Sequence, residues 1–431
     1  LLPDESVLFI HPDLGIGGAE RFVVDAAIGL NQQYQCRTGI LTTSCDPRRS
    51  FTEVQDILQK DTGRRFPQVF VKGDFLPRSI RGGCVRLCKN FSMLYAVLWL
   101  VYFGPVYNAI IIDQLPAIIA VLQFLIGKNV KLIFYCHFPD HLCNPWGDMR
   151  SSLYTSIWRA AYTNLFDGIE KYFFLKAPCV LYNSLYTKSI CDRHLGKHHT
   201  GRVLYPIMKL CNDLEISNQA HTSIRTEIPG FSQEDILILS ISRFEPKKKI
   251  LLALQTVENM LVDVPAFWKT GTSKNQKEIR LLLCGGYDDR LSDNIACMNE
   301  LQEWLRDHPH VDKVVTIRTN ISEDFKWQAL RRADLVLYTP ENEHFGIVPV
   351  EAMSCGKVVL ASNSGGLRET IGPSGLYGVL VDANPRAFAQ AAIELLKDQS
   401  RRQLIGSHSI ERVRNIFSAE ACITTLHNSL F

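Results

Sequence analysis

Short apolar runs alternate with helical patterns along almost the whole chain, and this alternation constrains the fold more than any other feature. β-prone runs separated by helix-length segments are the pattern of βαβ units, and so of parallel sheets. Val7–His11 reads as a buried strand, followed by a glycine loop and a helical segment at Ala19–Leu30. Further strands are expected at Arg37–Thr42, Ala109–Asp113, Lys131–His137 and Cys179–Asn183. A second series begins at Ile236–Ser242 and continues at Ile279–Cys284, Lys313–Arg318, Ala333–Tyr338, Lys357–Ser362 and Tyr377–Val381. Helical patterns such as Leu251–Val262 and Phe325–Arg331 lie between these runs.

The expected fold is therefore α/β, with two Rossmann-like doubly wound domains facing across a cleft. At 431 residues the chain is too long for one ordinary core. The expected division is a first domain at 1–205, a linker at 206–235 and a second domain at 236–408. A C-terminal helix at 409–431 is expected to pack back on the first domain. The linker is polar, lacks periodicity and carries Pro229-Gly230.

An apolar fraction of 46% and a charged fraction of 21% exclude a disordered chain. With 47 basic and 44 acidic residues, the net charge of +3 gives no argument for a nucleic-acid partner. The 13 cysteines are scattered, odd in number and without paired CxxC spacing, which speaks for a reducing compartment and against a zinc site. The sequons at Asn90 and Asn320 fall in segments read as structural, so neither is expected to be glycosylated.

Phe91–Gly104 (FSMLYAVLWLVYFG) is continuously apolar and uncharged, with Arg78, Arg81, Arg86 and Lys89 before it. Fourteen helical residues reach only about 21 Å, short of a hydrocarbon core of ~30 Å. Two readings stand: a buried core helix, or a membrane-surface helix with a basic collar that draws apolar area from Phe91, Leu94, Trp99, Leu100 and Phe103. The second is preferred, and the associating segment is placed at 84–104.

Four segments carry chemistry. In Glu343-His-Phe-Gly-Ile-Val-Pro-Val-Glu351 two glutamates flank seven residues where a strand gives way to a helix. Gly346 at the helix start leaves backbone N–H groups free for an anion, with Phe345 beside it. Glu343 can accept bonds from sugar hydroxyls, and Glu351 from a ribose diol; service to the helix dipole is the alternative. In Ser242-Arg243-Phe-Glu-Pro-Lys247-Lys248-Lys249, Arg243 and Lys248 follow a strand and can neutralise a leaving diphosphate without a metal ion. Lys247 and Lys249 read as a solvated turn.

Leu14-Gly15-Ile-Gly17-Gly18-Ala-Glu20-Arg21 is not a dinucleotide fingerprint, because Glu20 stands where the third glycine belongs. Gly17 and Gly18 either bring backbone close to a diphosphate or acceptor, or form a plain tight turn. His137, in Phe134-Tyr-Cys-His137-Phe-Pro139-Asp140, is a ligand-facing residue or a structural histidine at even odds.

Together these segments resemble the GT-B glycosyltransferases of family 4. Arg243 and Lys248 match the family's basic clamp, Glu343 and Glu351 its EX7E motif, and Gly17-Gly18 its glycine loop. HPDLGIGGAERFVVDAA, GDFLPR, FYCHFPD, VLYP, LYTPENEHFGIVPVEAM and NSGG look like the dolichol-linked mannosyltransferases that add the second and third mannoses of the asparagine-linked glycan precursor. The resemblance implies a retaining, metal-independent reaction with no cofactor. GDP-mannose would be the donor and a dolichol-pyrophosphate-linked Man1GlcNAc2 the acceptor, with α-1,3 then α-1,6 transfer. It further implies work at a membrane surface, on the cytosolic face of the endoplasmic reticulum, with other mannosyltransferases of the pathway as candidate partners.

In that picture Arg243 and Lys248 stabilise charge on GDP. Glu343 and the N–H groups near Phe345 and Gly346 hold mannose, Glu351 holds ribose, and His137 lies beside the sugar. The chain departs from the family in carrying Lys249-Ile250 where Asn or Gly commonly follows the clamp lysine. Two readings from other classes are a catalytically silent subunit of a glycosylation complex and a non-transferring enzyme such as a sugar-nucleotide epimerase. The runner-up among transferases uses another nucleotide sugar on a lipid-linked or membrane acceptor.

Overall fold

The structure is a computed structural model that describes residues 5–15, 17–46, 50–51, 53–55, 67–80, 84–127, 130–139, 153–197, 201–208, 210–211, 228, 231–232, 234–263 and 278–431; within it, the side chains of 153–161, 163 and 263 are not described. Arg81, Asp140 and Pro229-Gly230 lie outside these residues. The chain divides into two compact units: residues 1–207 with 419–431, and residues 208–418.

The first unit runs β1 Ser6–His11, α1 Gly18–Tyr34, β2 Arg37–Thr42, β3 Gln68–Val71, α2 Val85–Phe103, β4 Ala109–Asp113, α3 Ala117–Ile126, β5 Lys131–Cys136, α4 Leu153–Lys176, β6 Val180–Tyr182, α5 Leu185–His194 and β7 Arg202–Val203. Its strands are parallel and ordered β3-β2-β1-β4-β5-β6-β7. Helices cover both faces, so a strand such as β1 is buried throughout, with an apolar run at Val7–Ile10. Successive side chains point oppositely: Val7 and Phe9 enter the core with α1, while Leu8 and Ile10 enter the core with α2 and α3.

α2 has a buried face, as the core-helix reading expects, and an exposed apolar face. Cys88, Met93, Ala96, Val97 and Leu100 are buried against the sheet. Phe91, Tyr95, Leu98 and Tyr102, spaced at three and four residues, form an exposed stripe, with Tyr102 69% and Phe103 78% exposed. Leu100, expected to contribute outward apolar area, is instead 5% exposed because it falls on the core face. Trp99 is half-buried, 5.6 Å from the Phe70 ring and beneath the Lys72 ammonium. Arg86 is tied to Asp167 at 2.8 Å and is not a free member of the basic collar. No described helix is long and apolar enough to cross a membrane.

The second unit runs β8 Ile236–Ile241, α6 Leu251–Asp263, β9 Ile279–Gly285, α7 Ser292–Asp307, α8 Pro309–Asp312, β10 Val315–Thr319, α9 Glu323–Arg332, β11 Leu335–Tyr338, α10 Ile347–Ser354, β12 Val359–Ser362, α11 Leu367–Thr370, β13 Val379–Val381, α12 Pro385–Lys397 and α13 Gln399–Ile416. Its parallel order is β10-β9-β8-β11-β12-β13. α13 stays with this unit, since Ser409 bonds the Tyr377 carbonyl and Arg412 those of Glu369 and Thr370. The expected boundary at 409 therefore falls inside a helix, and α14, Ala419–Leu430, is the element that belongs to the first unit. There Ile423, Leu426 and Leu430 join the α1 core, and Gly29 admits them: a Cβ at Gly29 would lie 2.5 Å from Ile423.

In each sheet the chain leaves a central strand, winds to one side, then returns to build the other. The switch points are β1/β4 in the first unit and β8/β11 in the second. Ligands in doubly wound sheets bind outside the carboxyl ends of strands at such points.

Candidate functional site

In the second unit the switch point brings two separate loops together. Ser242 and Arg243 leave β8, and a short 3-10 turn over Pro246–Lys248 follows. The Thr339 hydroxyl, at the end of β11, donates to the Lys248 carbonyl at 2.9 Å. Lys248 thereby points at the loop after β11, where its Nζ lies 2.6 Å from Oε2 of Glu343. Both side chains are largely buried, 13% and 18% exposed. The Tyr338 hydroxyl donates to the same carboxylate oxygen at 3.1 Å. Burial pushes the Glu343 carboxyl up, but the charge and hydrogen bond of Lys248 outweigh it and hold the group below its ordinary value.

Lys249 takes up the left-handed region, φ 48°, to end the turn. The family's usual Asn or Gly at this point suits that geometry better than lysine does. Lys249 is ion-paired with Glu341. Arg243 and Lys247 flank Glu245 at 3.0 and 3.1 Å and are 65% and 67% exposed. Arg243 is thus the accessible cation of the pair, and Lys248 the enclosed one.

Gly346 caps α10 at φ 90°, with no side-chain hydrogen bond to the first turn. The Phe345 side chain is buried against Phe417, ring centroids 5.5 Å apart, and its carbonyl accepts from the Thr370 hydroxyl. Glu351 lies in α10, 8% exposed, with Oε1 2.8 Å from Nζ of Lys326 on α9. Burial raises the Glu351 carboxyl above its ordinary value, and Lys326 only partly opposes this. Lys326 itself is held above its ordinary value because Glu323 as well as Glu351 offsets its burial.

Three contributors escaped the sequence reading: Lys326, Tyr338 and the Gly365-Gly366 pair. Gly366 donates its N–H to the Glu343 carbonyl at 2.7 Å, and a Cβ there would meet the His344 carbonyl oxygen at 2.3 Å. The NSGG string was the available signal for this support. Lys326 had only a helical pattern, with no motif.

In the first unit, His137 follows β5 and its Nε2 lies 3.0 Å from Oδ2 of Asp113, the last residue of β4. The same oxygen meets Nδ1 of His11, the last residue of β1, at 2.8 Å. His11 Nε2 in turn faces Glu20 at 3.7 Å. A chain of ionisable side chains therefore runs from half-exposed His137 through buried Asp113 and His11 to Glu20 in the first turn of α1. Burial opposes charge on His11, yet Asp113 and Glu20 raise its pKa to about 9. Burial likewise opposes charge on Asp113, and the two histidines bring it down to about 2.

Gly17 is the extended N-cap of α1, and a Cβ on it would meet the Glu20 carboxylate at 2.2 Å. Its smallness thus serves Glu20, while Gly18 opens α1 with no atom within 4 Å of a would-be Cβ. The structure places Arg243, Lys248, Glu343, Phe345, Gly346 and Glu351 in the second unit, and Gly17, Gly18 and His137 in the first.

Two doubly wound units, an acidic EX7E loop and an enclosed lysine are the marks of a GT-B glycosyltransferase. Residues 224–412 match the family model "Glycosyl transferases group 1". Sucrose-phosphate synthase from Thermosynechococcus elongatus superposes with a TM-score of 0.71 at 18% identity, over 99% of this chain and 98% of that one. Anabaena HepE, solved with UDP-glucose, gives a TM-score of 0.68 at 19% identity, over 99% of each chain.

Curated relatives narrow the class. Alpha-1,3/1,6-mannosyltransferase ALG2 of Mus musculus is 34% identical over 98% of this chain and 95% of its own length. That of Homo sapiens is 33% identical over 99% and 95%, and that of Saccharomyces cerevisiae 36% identical over 96% and 82%. The chain belongs to the ALG2 family of alpha-1,3/1,6-mannosyltransferases.

Proposed function

We propose that this chain is a retaining mannosyltransferase that moves mannose from GDP-mannose to a dolichol-pyrophosphate-linked Man1GlcNAc2 acceptor. It forms an α-1,3 and then an α-1,6 linkage in N-glycan precursor assembly, on the cytosolic face of the endoplasmic reticulum membrane. The observation that carries this reading is the Lys248–Glu343 contact at the second unit's switch point, in a chain of this family.

An ammonium has three donors. Lys248 spends one on Glu343 and keeps the others for a donor diphosphate, which the exposed guanidinium of Arg243 grips bidentately. Charge developing on the leaving GDP is stabilised by these two cations, the work that a divalent ion does in other transferases. Glu343, kept ionised, accepts bonds from mannose hydroxyls, together with N–H groups near Phe345 and Gly346. Glu351, steadied by Lys326, accepts bonds from the ribose diol. His137, held by Asp113, and Gly17-Gly18 at the start of α1 are assigned to the acceptor side, within the first unit.

The exposed stripe of α2 is read as a monotopic membrane contact, since a dolichol chain leaves the bilayer only at about 0.8 kcal/mol per CH₂. Tyr102 and Phe103, with Val106 80% exposed, supply the apolar area. Other mannosyltransferases of the pathway are proposed as neighbours on that surface. The deciding experiment incubates the purified protein with GDP-mannose and a one-mannose lipid-linked acceptor, then determines the linkages of the product. Transfer from UDP-glucose in preference, or no transfer at all, would overturn the reading.

A further inference from the structure

In the first unit a cavity of about 190 Å³ opens at the carboxyl ends of β1, β2 and β3. Asp13, Ser44 and Asp74 line it, one from the loop after each strand. Two cations close its far wall: Arg78, and Lys89 in the second turn of α2. Arg78 Nη2 donates to the Ser44 hydroxyl at 2.8 Å. Among the described residues that neutral oxygen is its polar partner, and Lys89 has no carboxylate partner. The first turn of α2 holds no acidic residue, and its Leu87 N–H donates to the Tyr162 hydroxyl at 3.0 Å.

A cavity at strand ends whose two cations form no ion pair among the described residues suits a compact multivalent anion. The carboxylates of Asp13 and Asp74 are poor company for phosphate but good acceptors for sugar hydroxyls. From the same helix start, the exposed stripe Phe91, Tyr95, Leu98 and Tyr102 runs away down α2. Phe75, 67% exposed, widens it by packing edge-on against Tyr95 at 5.0 Å. The pocket with its two cations and the apolar track therefore both lie along α2.

We propose that this cavity receives the diphosphate of the lipid-linked acceptor, with Arg78 and Lys89 as its cations and the first isoprene units lying along α2. The proposal rests on the mannosyltransferase reading for the identity of the acceptor, but its chemistry is that of any isoprenyl diphosphate.

The test is binding, read without turnover. Farnesyl diphosphate, farnesol and inorganic pyrophosphate are titrated into the full chain by calorimetry, alongside vesicles containing phosphatidylserine. Farnesyl diphosphate should bind more tightly than either fragment. The R78A/K89A variant should lose at least about tenfold for farnesyl diphosphate and pyrophosphate, and nothing for farnesol or GDP-mannose. Phe91→Ser with Tyr95→Ser should weaken farnesyl diphosphate and farnesol but not pyrophosphate, and Lys89→Arg should keep most of the affinity. Both cations are exposed, so thermal melting should show these variants folded. Unchanged farnesyl diphosphate affinity in R78A/K89A overturns the proposal. So does a loss confined to phosphatidylserine vesicles, which would mark a general anionic surface. If binding behaves as stated while mannose transfer fails, it is the function reading that falls.

Discussion

Nζ of Lys248 sits 2.6 Å from Oε2 of Glu343, across 95 positions of sequence. Each is the other's compensation in a largely closed site, so removing one leaves a buried charge alone. Lys248→Met and Glu343→Gln are each expected to cost about 3 kcal/mol, and the double change less than their sum. All three should lose at least about a hundredfold in kcat, while EDTA leaves wild-type activity intact. Denaturant melts and steady-state kinetics check both parts. Strict additivity, or an active Lys248→Met, would show that Lys247 or Lys249 is the working cation.

The two glutamates should separate kinetically. Glu351→Gln touches a contact made in ground and transition states alike, so donor KM should rise more than kcat falls. Glu343→Gln should lower kcat. Because burial raises Glu351, its stabilising contribution belongs to the protonated form and is lost as pH rises through the folded pKa. At neutral pH, Glu351→Gln should therefore weaken the donor with little loss of melting temperature. Identical kinetic signatures for both substitutions would refute the division of roles.

The His137–Asp113–His11 chain carries a pH signature. His11 is raised to about 9, so its contribution is fully present below its ordinary 6.5 and disappears as pH climbs through 9. The swing is on the order of 3 kcal/mol, because His11 is almost wholly buried. Asp113, lowered to about 2, keeps its contribution at every pH above the ordinary carboxyl range. Asp113→Asn should flatten melting temperature between pH 6.5 and 9 and reduce transfer more than GDP binding. Equal slopes in mutant and wild type would disprove the coupling.

On α2 the core and exposed faces make opposite predictions. Leu100→Glu buries a charge and should unfold the first unit. Phe91→Ser, Tyr95→Ser and Tyr102→Ser together should change stability by less than about 1 kcal/mol, yet release the protein from liposomes. Flotation assays decide the second outcome; continued membrane binding by the triple variant would move the contact elsewhere.

At Lys249 the left-handed backbone is an expense that asparagine meets more easily. Lys249→Val should destabilise by about 1–2 kcal/mol, whereas Lys249→Asn should match or exceed wild type in a thermal melt. Equal stability of the two variants would argue against the strain.

The alternation of apolar runs made the sheets legible because parallel strands buried on both faces read as uninterrupted β-prone segments. β3 escaped, as a four-residue strand at the sheet's edge with little to mark it. The Glu343–Glu351 and Arg243–Lys248 segments were legible because each is continuous in sequence. Lys326 and Tyr338, and the partners of His137, were not: Asp113 lies 24 positions from His137 and 102 from His11, and only the parallel register of β1, β4 and β5 brings them together. The two-sided character of α2 was missed because a run of mostly apolar residues carries almost no amphipathic signal, and its faces are set by the sheet beneath.

The return of α14 to the first unit has a consequence for biosynthesis. Cys422, Ile423, Leu426 and Leu430 complete a core whose other members leave the ribosome first. All of residues 208–418 are translated in between. During that interval the nascent first unit carries an open apolar seam along α1, where Gly29 awaits Ile423. Its folding therefore finishes after translation of the second unit, and until then the seam is a site for chaperone capture.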